Sequence, residues 1–211
     1  MTRALAVLRP EPGNAATAGR IEQLGLVAVR LPLFAVRPLP WKLPDVARFD
    51  VLLLTSANTL RHGGEQLAQL RHLPVIAVGR ATATAARAAG FEVRTTGTGN
   101  AATALALAGG SRVLHLTGRD HVDGAVTERI AVYASEGVPI DSRRLDGTVA
   151  LIHSPRAGAR LAEIVPERTK VRVAAISPAA LTAAGRGWEA CETAAAPTDA
   201  QVIEVARQLA D

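Results

Sequence analysis

The chain has 211 residues, 48% of them hydrophobic, 20% charged and only 3% aromatic, a composition that excludes a disordered or disulfide-stapled protein and suits one large or two small globular domains. Its formal charge of +5 rests on arginine, since of 24 basic residues only Lys42 and Lys170 are lysines; the arginines are scattered, with no basic run and few aromatics between them, so no nucleic-acid partner is expected. The single Cys191 excludes an internal disulfide or a zinc-ligand pair, and the apolar run Ala4 to Leu8 is too short for an export signal or a membrane span; a cytoplasmic protein with no membrane partner is expected.

In chain order, short apolar runs alternate with alanine-rich stretches, the pattern of parallel βαβ units. Ala4 to Leu8 predicts a strand, Asn14 the cap of a helix closed by Gly25, and Leu26 to Arg30 a second strand. Pro32, Pro38, Pro40 and Pro44 then rule out a helix or central strand between Leu31 and Pro44 and predict a linker between lobes. Residues 50–55, 75–78, 91–95 and 112–116 predict strands, with helices near 57–70, 80–89 and 100–108, the second closed by Gly90 and the third capped by Asn100. Further strands are expected near 148–152, 171–176 and 189–195; Ser154-Pro155 makes an N-cap and first-turn pair, and Thr198-Asp199 opens the last helix.

Part of this scheme is a duplication in constant register. Val51-Leu52-Leu53-Leu54 followed by Thr55-Ser56 is repeated as Val149-Ala150-Leu151-Ile152 followed by His153-Ser154. At the same spacing Val78-Gly79 falls on Ile176-Ser177, Thr84-Ala85-Ala86 on Thr182-Ala183-Ala184, and Asn100 on Thr198. A repeat this long suits two α/β lobes with a cleft between them rather than a solenoid. The carboxy-terminal copy lacks its opening strand-helix-strand, which the amino terminus would supply. The expected organisation is a discontinuous lobe of residues 1–31 and 136–211, an inserted lobe of 37–131, and linkers at 32–36 and 132–135.

No dinucleotide, P-loop or nucleophile-elbow motif is present, and the five histidines (62, 72, 115, 121 and 153) lack metal-ligand spacing. His121 beside Asp120 and Asp123 reads as a polar turn rather than a ligand cluster. In open parallel sheets ligands sit at the carboxyl ends of the strands. Those ends carry Thr55, Ser56 and Asn58 in one copy, Ser154, Arg156 and Ser177 in the other, and Arg9 and Arg119 after two further strands. Hydroxyls, helix starts and guanidiniums together suit an anionic, polycarboxylate ligand. Capping alone also accounts for each serine. A cytoplasmic two-lobed sensor closing on such a ligand is the alternative to an enzyme.

The order Leu8-Arg9-Pro10, LLLTSAN at 52–58, AVGRATATAARAAGF at 77–91, VLHLTGR at 113–119, Val132-Tyr133, LIHSP at 151–155 and AISPAA at 175–180 resembles the uroporphyrinogen-III synthases over nearly the whole chain. The resemblance implies two lobes, each a parallel β-sheet flanked by helices in the flavodoxin-like manner, one discontinuous and joined through a two-stranded linker. It implies a monomeric, cofactor-independent lyase that cyclises hydroxymethylbilane with loss of water and inversion of the last ring. Positioning and desolvation of a reactive polycarboxylate would then be most of the catalysis.

By the same resemblance the catalytic candidates are Tyr133, the proton donor to the leaving hydroxyl, and Thr82, the cleft threonine of a GxxTA pattern opened by Gly79, itself a binding position. Arg9, Thr55, Ser56, Asn58, Ser154 and Ser177 match cleft-facing positions. The chain departs from the family pattern twice. Ala180 stands where the second threonine is expected, and the stretch from Thr117 to Val132 is too short for a full helix before the returning strand.

Overall fold

The computed structural model describes residues 2–97, 101–120 and 126–211, so Asn100, His121, Asp123 and Gly124 lie outside the described residues. The strands and helices are β1 (Leu5–Val7), α1 (Gly13–Gln23), β2 (Ala28–Arg30), β3 (Phe34–Pro38), β4 (Val51–Leu54), α2 (Asn58–His62), β5 (Val75–Val78), α3 (Arg80–Ala88), β6 (Val93–Gly97), α4 (Ala101–Ala106), β7 (Val113–Gly118), β8 (Glu128–Gly137), β9 (Val149–Ile152), α5 (Pro155–Ile164), β10 (Arg172–Ala175), α6 (Pro178–Ala184), β11 (Ala190–Thr193) and α7 (Asp199–Ala210). They form two compact units, a split one of Met1–Ala35 with Gly137–Asp211 and a continuous one of Val36–Glu136.

The split unit holds a five-stranded, wholly parallel sheet in the order β11-β10-β9-β1-β2. Its central strands are buried on both faces and alternate between two cores. Ala6, Leu8, Ala150, Ile152, Val173 and Ala175 face one way, with Ala157 and Leu161 of α5 and Ala180 and Ala184 of α6. Leu5, Val7, Val149, Leu151 and Ala174 face the other, with α1 and α7. Burial of each such leucine contributes about 1.5–3 kcal/mol. Helices α5 and α6 touch backbone to backbone at Gly158, where a Cβ would lie 2.4 Å from the Ala180 carbonyl oxygen.

The continuous unit holds a six-stranded sheet in the order β3-β8-β7-β4-β5-β6. From β8 to β6 every pairing is parallel. At the β3 edge Leu39 N–H donates to Val132 O and Val138 N–H to Leu33 O, so β3 runs against β8. Leu52, Leu54, Val75, Ala77, Leu114 and Leu116 build one core with α3; Val51, Leu53, Ile76 and Val113 face α4.

Two helix expectations need correction, at Asn14 and over 57–70, while both expected linker segments carry strand. The proline-rich stretch, expected to be neither helix nor central strand, contains the edge strand β3, where Pro38 needs no ladder bond of its own, and residues 132–135 lie inside the ten-residue strand β8 that runs against it. Asn14 caps nothing: it sits inside α1, fully buried, its Nδ2 donating to Val7 O at 2.7 Å and Arg9 O at 3.0 Å. The helix expected over 57–70 is the short α2 followed by a 3₁₀ stretch Glu65–Leu70, because Gly63-Gly64 intervenes and Gly64 takes φ 78°. Ser154, Ser177 and Thr198 do cap α5, α6 and α7, each side chain accepting a backbone N–H of the first turn. No helix among the described residues is long and apolar enough to cross a membrane.

Candidate active-site residues

In the continuous unit, buried β4 delivers Thr55 and Ser56 to the carboxyl edge, both half-buried. Ser56 Oγ accepts the Asn58 N–H at 3.2 Å, and Asn58 Oδ1 accepts from Arg61 at 2.9 Å. Beneath this turn Thr59, wholly buried, donates to Leu116 O and ties α2 to β7. Gly79 follows β5 at φ 78°, a left-handed conformation that lets the chain turn from strand directly into α3. Thr82 lies on the inward face of α3 beside Ala83 and Ala86, 4% exposed.

Tyr133 is placed by β8. Its strand follows β7 in register until Thr117 pairs with Ala131 and Gly118 with Tyr133, a bulge that leaves Val132 extra. Bulges of this kind re-aim side chains. The phenol ring lies against Gly118, where a Cβ would come within 2.7 Å of Cε2 and 3.1 Å of the hydroxyl oxygen; only glycine leaves room for it. The Arg119 N–H donates to Tyr133 O at 2.8 Å, and the His62 ring lies 6.4 Å from the tyrosine ring. Burial, helped by neighbouring Arg61, pushes the His62 pKa down. The Arg119 side chain points to Glu136, 3.5 Å away.

In the split unit the corresponding edge is organised by a residue absent from the sequence-based candidates. Asp199, the first residue of α7, accepts from Thr17 Oγ1 at 2.7 Å, His153 Nε2 at 2.8 Å, Arg9 at 3.2 Å and Arg20 at 2.5 Å. Burial alone would raise its pKa, but the hydrogen bonds from Thr17, His153 and Arg20 outweigh it and hold the carboxyl below its ordinary range. His153 is depressed in turn by burial and by Arg9, against the pull of Asp199. The imidazole is therefore neutral at pH 7 and donates its Nε2 proton to the carboxylate.

Ser154 and Ser177 accept the Ala157 and Ala180 N–H groups at 3.1 and 3.3 Å. Pro155 and Pro178 occupy the first helical positions and carry no N–H, so these helix starts offer an anion fewer backbone donors than strand-end position alone implies. The Arg156 guanidinium stacks 4.5 Å above the Phe34 ring. Ala180 is fully buried in the core shared with Ala157 and Leu161.

The model of the uroporphyrinogen-III synthase HemD family matches residues 15–204. The chain belongs to that family. As a member it is a lyase of tetrapyrrole biosynthesis that acts on a small molecule. Among solved structures, uroporphyrinogen-III synthetase from Helicobacter pylori aligns with a TM-score of 0.73 at 16% identity, over 99% of this chain and 100% of that one. A mutant uroporphyrinogen III synthase from the extremely thermophilic bacterium Thermus thermophilus aligns with a TM-score of 0.56 at 16% identity, over 98% of each chain. At such identity the likeness speaks to the fold, parallel sheets flanked by helices in a mixed α/β chain. No curated protein matches the sequence.

Within the synthase frame, the strand-end candidates fall into two local groups. Thr55, Ser56, Asn58, Gly79, Thr82, Arg119 and Tyr133 belong to the continuous unit, and Arg9, Ser154, Arg156 and Ser177 to the split one. Asp199, His153 and His115 are not among the sequence-based candidates; for the two histidines the sequence suggests only hydrogen-bonded side chains, as they are here. The duplication contained the signal for one of them, since His153 stands in the register of Thr55.

Proposed function

We propose that this synthase closes hydroxymethylbilane to uroporphyrinogen III with Tyr133 as the acid. The Tyr133 O–H protonates the hydroxyl of the terminal hydroxymethyl group, which departs as water while the pyrrole nitrogen supplies the electron pair, leaving an azafulvene cation and a phenolate. Attack by the substituted carbon of the last ring gives a spiro intermediate, whose rearrangement inverts that ring; the proton lost on rearomatisation balances the one Tyr133 gave. Arg9, Arg119 and Arg156 supply charge for the carboxylates. Ser56, Ser154 and Ser177 keep a hydroxyl hydrogen to donate, because their oxygens serve the helix starts as acceptors. Thr82 and Gly79 line the turn after β5.

The family match over residues 15–204 carries this reading; Tyr133, held against Gly118, supports the choice of acid. The enzyme is proposed to act as a cytoplasmic monomer, without metal or organic cofactor and without nucleic-acid or membrane partners, its positive charge being dispersed over arginines. The test is the isomer ratio of porphyrins formed when purified protein meets fresh hydroxymethylbilane. Type III product in excess is expected, and type I alone at the spontaneous rate would refute the reading.

A further inference from the structure

Behind Thr55 lies a line of side chains that the proposed chemistry does not use. His115 of β7 is 2% exposed. It stands in register between Leu53 of β4 and Arg129 of β8, so it shares a sheet face with Thr55, two residues beyond Leu53. Its Nε2 lies 3.3 Å from Thr55 Oγ1, and Arg129 Nε approaches its Nδ1 at 3.4 Å.

The direction of these hydrogen bonds follows from arginine chemistry. A guanidinium only donates, so Nδ1 must present its lone pair to Arg129, and the neutral ring carries its hydrogen on Nε2. That hydrogen points to Thr55 Oγ1, which therefore accepts from below. The Thr55 hydroxyl hydrogen is left to be given away at the carboxyl edge of the sheet. Without Arg129 the other tautomer becomes available, and Thr55 would spend its hydrogen on Nε2.

We infer that Arg129 and His115 are positioning residues that fix Thr55 as a hydrogen-bond donor to an acceptor oxygen of the polycarboxylate substrate. The inference rests on the proposed synthase function. Donation from Thr55 strengthens binding without entering the bond changes, so its loss raises KM and leaves kcat alone.

The test combines nitrogen NMR of the resting enzyme with kinetics on hydroxymethylbilane. In the wild type, His115 is expected to show a protonated Nε2 and an unprotonated Nδ1; Arg129→Met shifts the pattern toward the other tautomer. Thr55→Val and His115→Leu each raise KM about tenfold, the double variant no further than either, and His115→Gln, which keeps a donor near the Nε2 position, recovers most of the loss. A protonated Nδ1 in the wild type would overturn the proposal even if the histidine variants do not fold. So would an unchanged KM in folded His115→Leu while the wild type makes type III product. A wild type that makes only type I product would instead remove the synthase reading, and with it the ligand assigned to Thr55.

Discussion

In the continuous unit β4, β5 and β6 lie side by side in that order, with β7 and β8 on the other flank of β4; in the split unit β9, β10 and β11 take the first three places and β1 and β2 the last two. The split unit's sheet and five of the six strands of the continuous unit's sheet make the same wheel of parallel strands, and the chain enters it at different points. The duplication aligns β4, β5 and β6 with β9, β10 and β11. The wheel of the split unit is completed from the amino terminus, where the Arg3 N–H donates to Ala210 O at the end of α7. The units differ most between their last two strands, where β1 and β2 are bridged by the 11-residue α1 and β7 and β8 by the short segment 119–127.

The paired positions show what the wheel fixes and what it leaves open. Val7 pairs with Arg30 as His115 pairs with Arg129, so each unit carries an arginine on the strand beside its central pair. In the split unit that arginine donates to Asn14 Oδ1 at 3.0 Å, and in the continuous unit to His115. His153 occupies the place of Thr55 and donates to Asp199, whereas Thr55 is met by His115. Topology delivers polar groups to the same edge twice. Local sequence then makes one edge a charged cluster around a carboxylate and the other a line from a hydroxyl through an imidazole to an arginine.

The largest test of this asymmetry is Tyr133→Phe. If the acid resides in the continuous unit alone, type III formation should fall by about 10²-fold or more with little change in KM; normal turnover would show that the units divide the chemistry differently. Next comes Gly158→Val, where the split unit has backbone contact between helices. The variant should lose about 1–3 kcal/mol in denaturant unfolding, while Leu60→Val, at the same position of the repeat and half-buried, should lose less.

A smaller effect is expected with pH. His153 and Asp199 both have folded-state pKa values below their unfolded ones, so the unfolded chain binds more protons as pH falls and stability declines on acidification. The His153 contribution is intact above its unfolded pKa of about 6.5 and is lost as pH drops below it; the Asp199 contribution follows below about 4. His153→Gln should flatten the upper part of the curve in thermal melts across that window. The smallest effect is at the amino end of β4. The Arg112 side chain and backbone N–H hold the exposed Asp50 carboxyl down at about 2. Arg112→Gln should return its NMR midpoint toward the ordinary range with almost no change in melting temperature.

Much of this is legible in the sequence because it is local. Ser154-Pro155 and Thr198-Asp199 announce helix starts through side chains that bond within three residues, and the repeat identifies β4 with β9 without any knowledge of pairing. Asn14 reads as a cap because a buried asparagine and a capping asparagine look alike beside Gly13; its partners, Val7 O and Arg9 O, become visible only once β1 turns into α1. Gly63 and Gly64 flag the break in the expected helix, but the apolar spacing across them keeps a helical period.

Apolar periodicity and capping act within a few residues, and they suffice to set the parallel α/β class, the duplicated strand ends and the polar residues that stand on them. Only the packed sheets make Asp199 gather Arg9, Arg20, Thr17 and His153, bring Arg129 onto His115, and lay Tyr133 on Gly118 through a bulge. These contacts join residues brought together by strand pairing rather than by chain proximity. They depend on which strands become neighbours and in what register, and that is settled by burying both faces of each sheet at once.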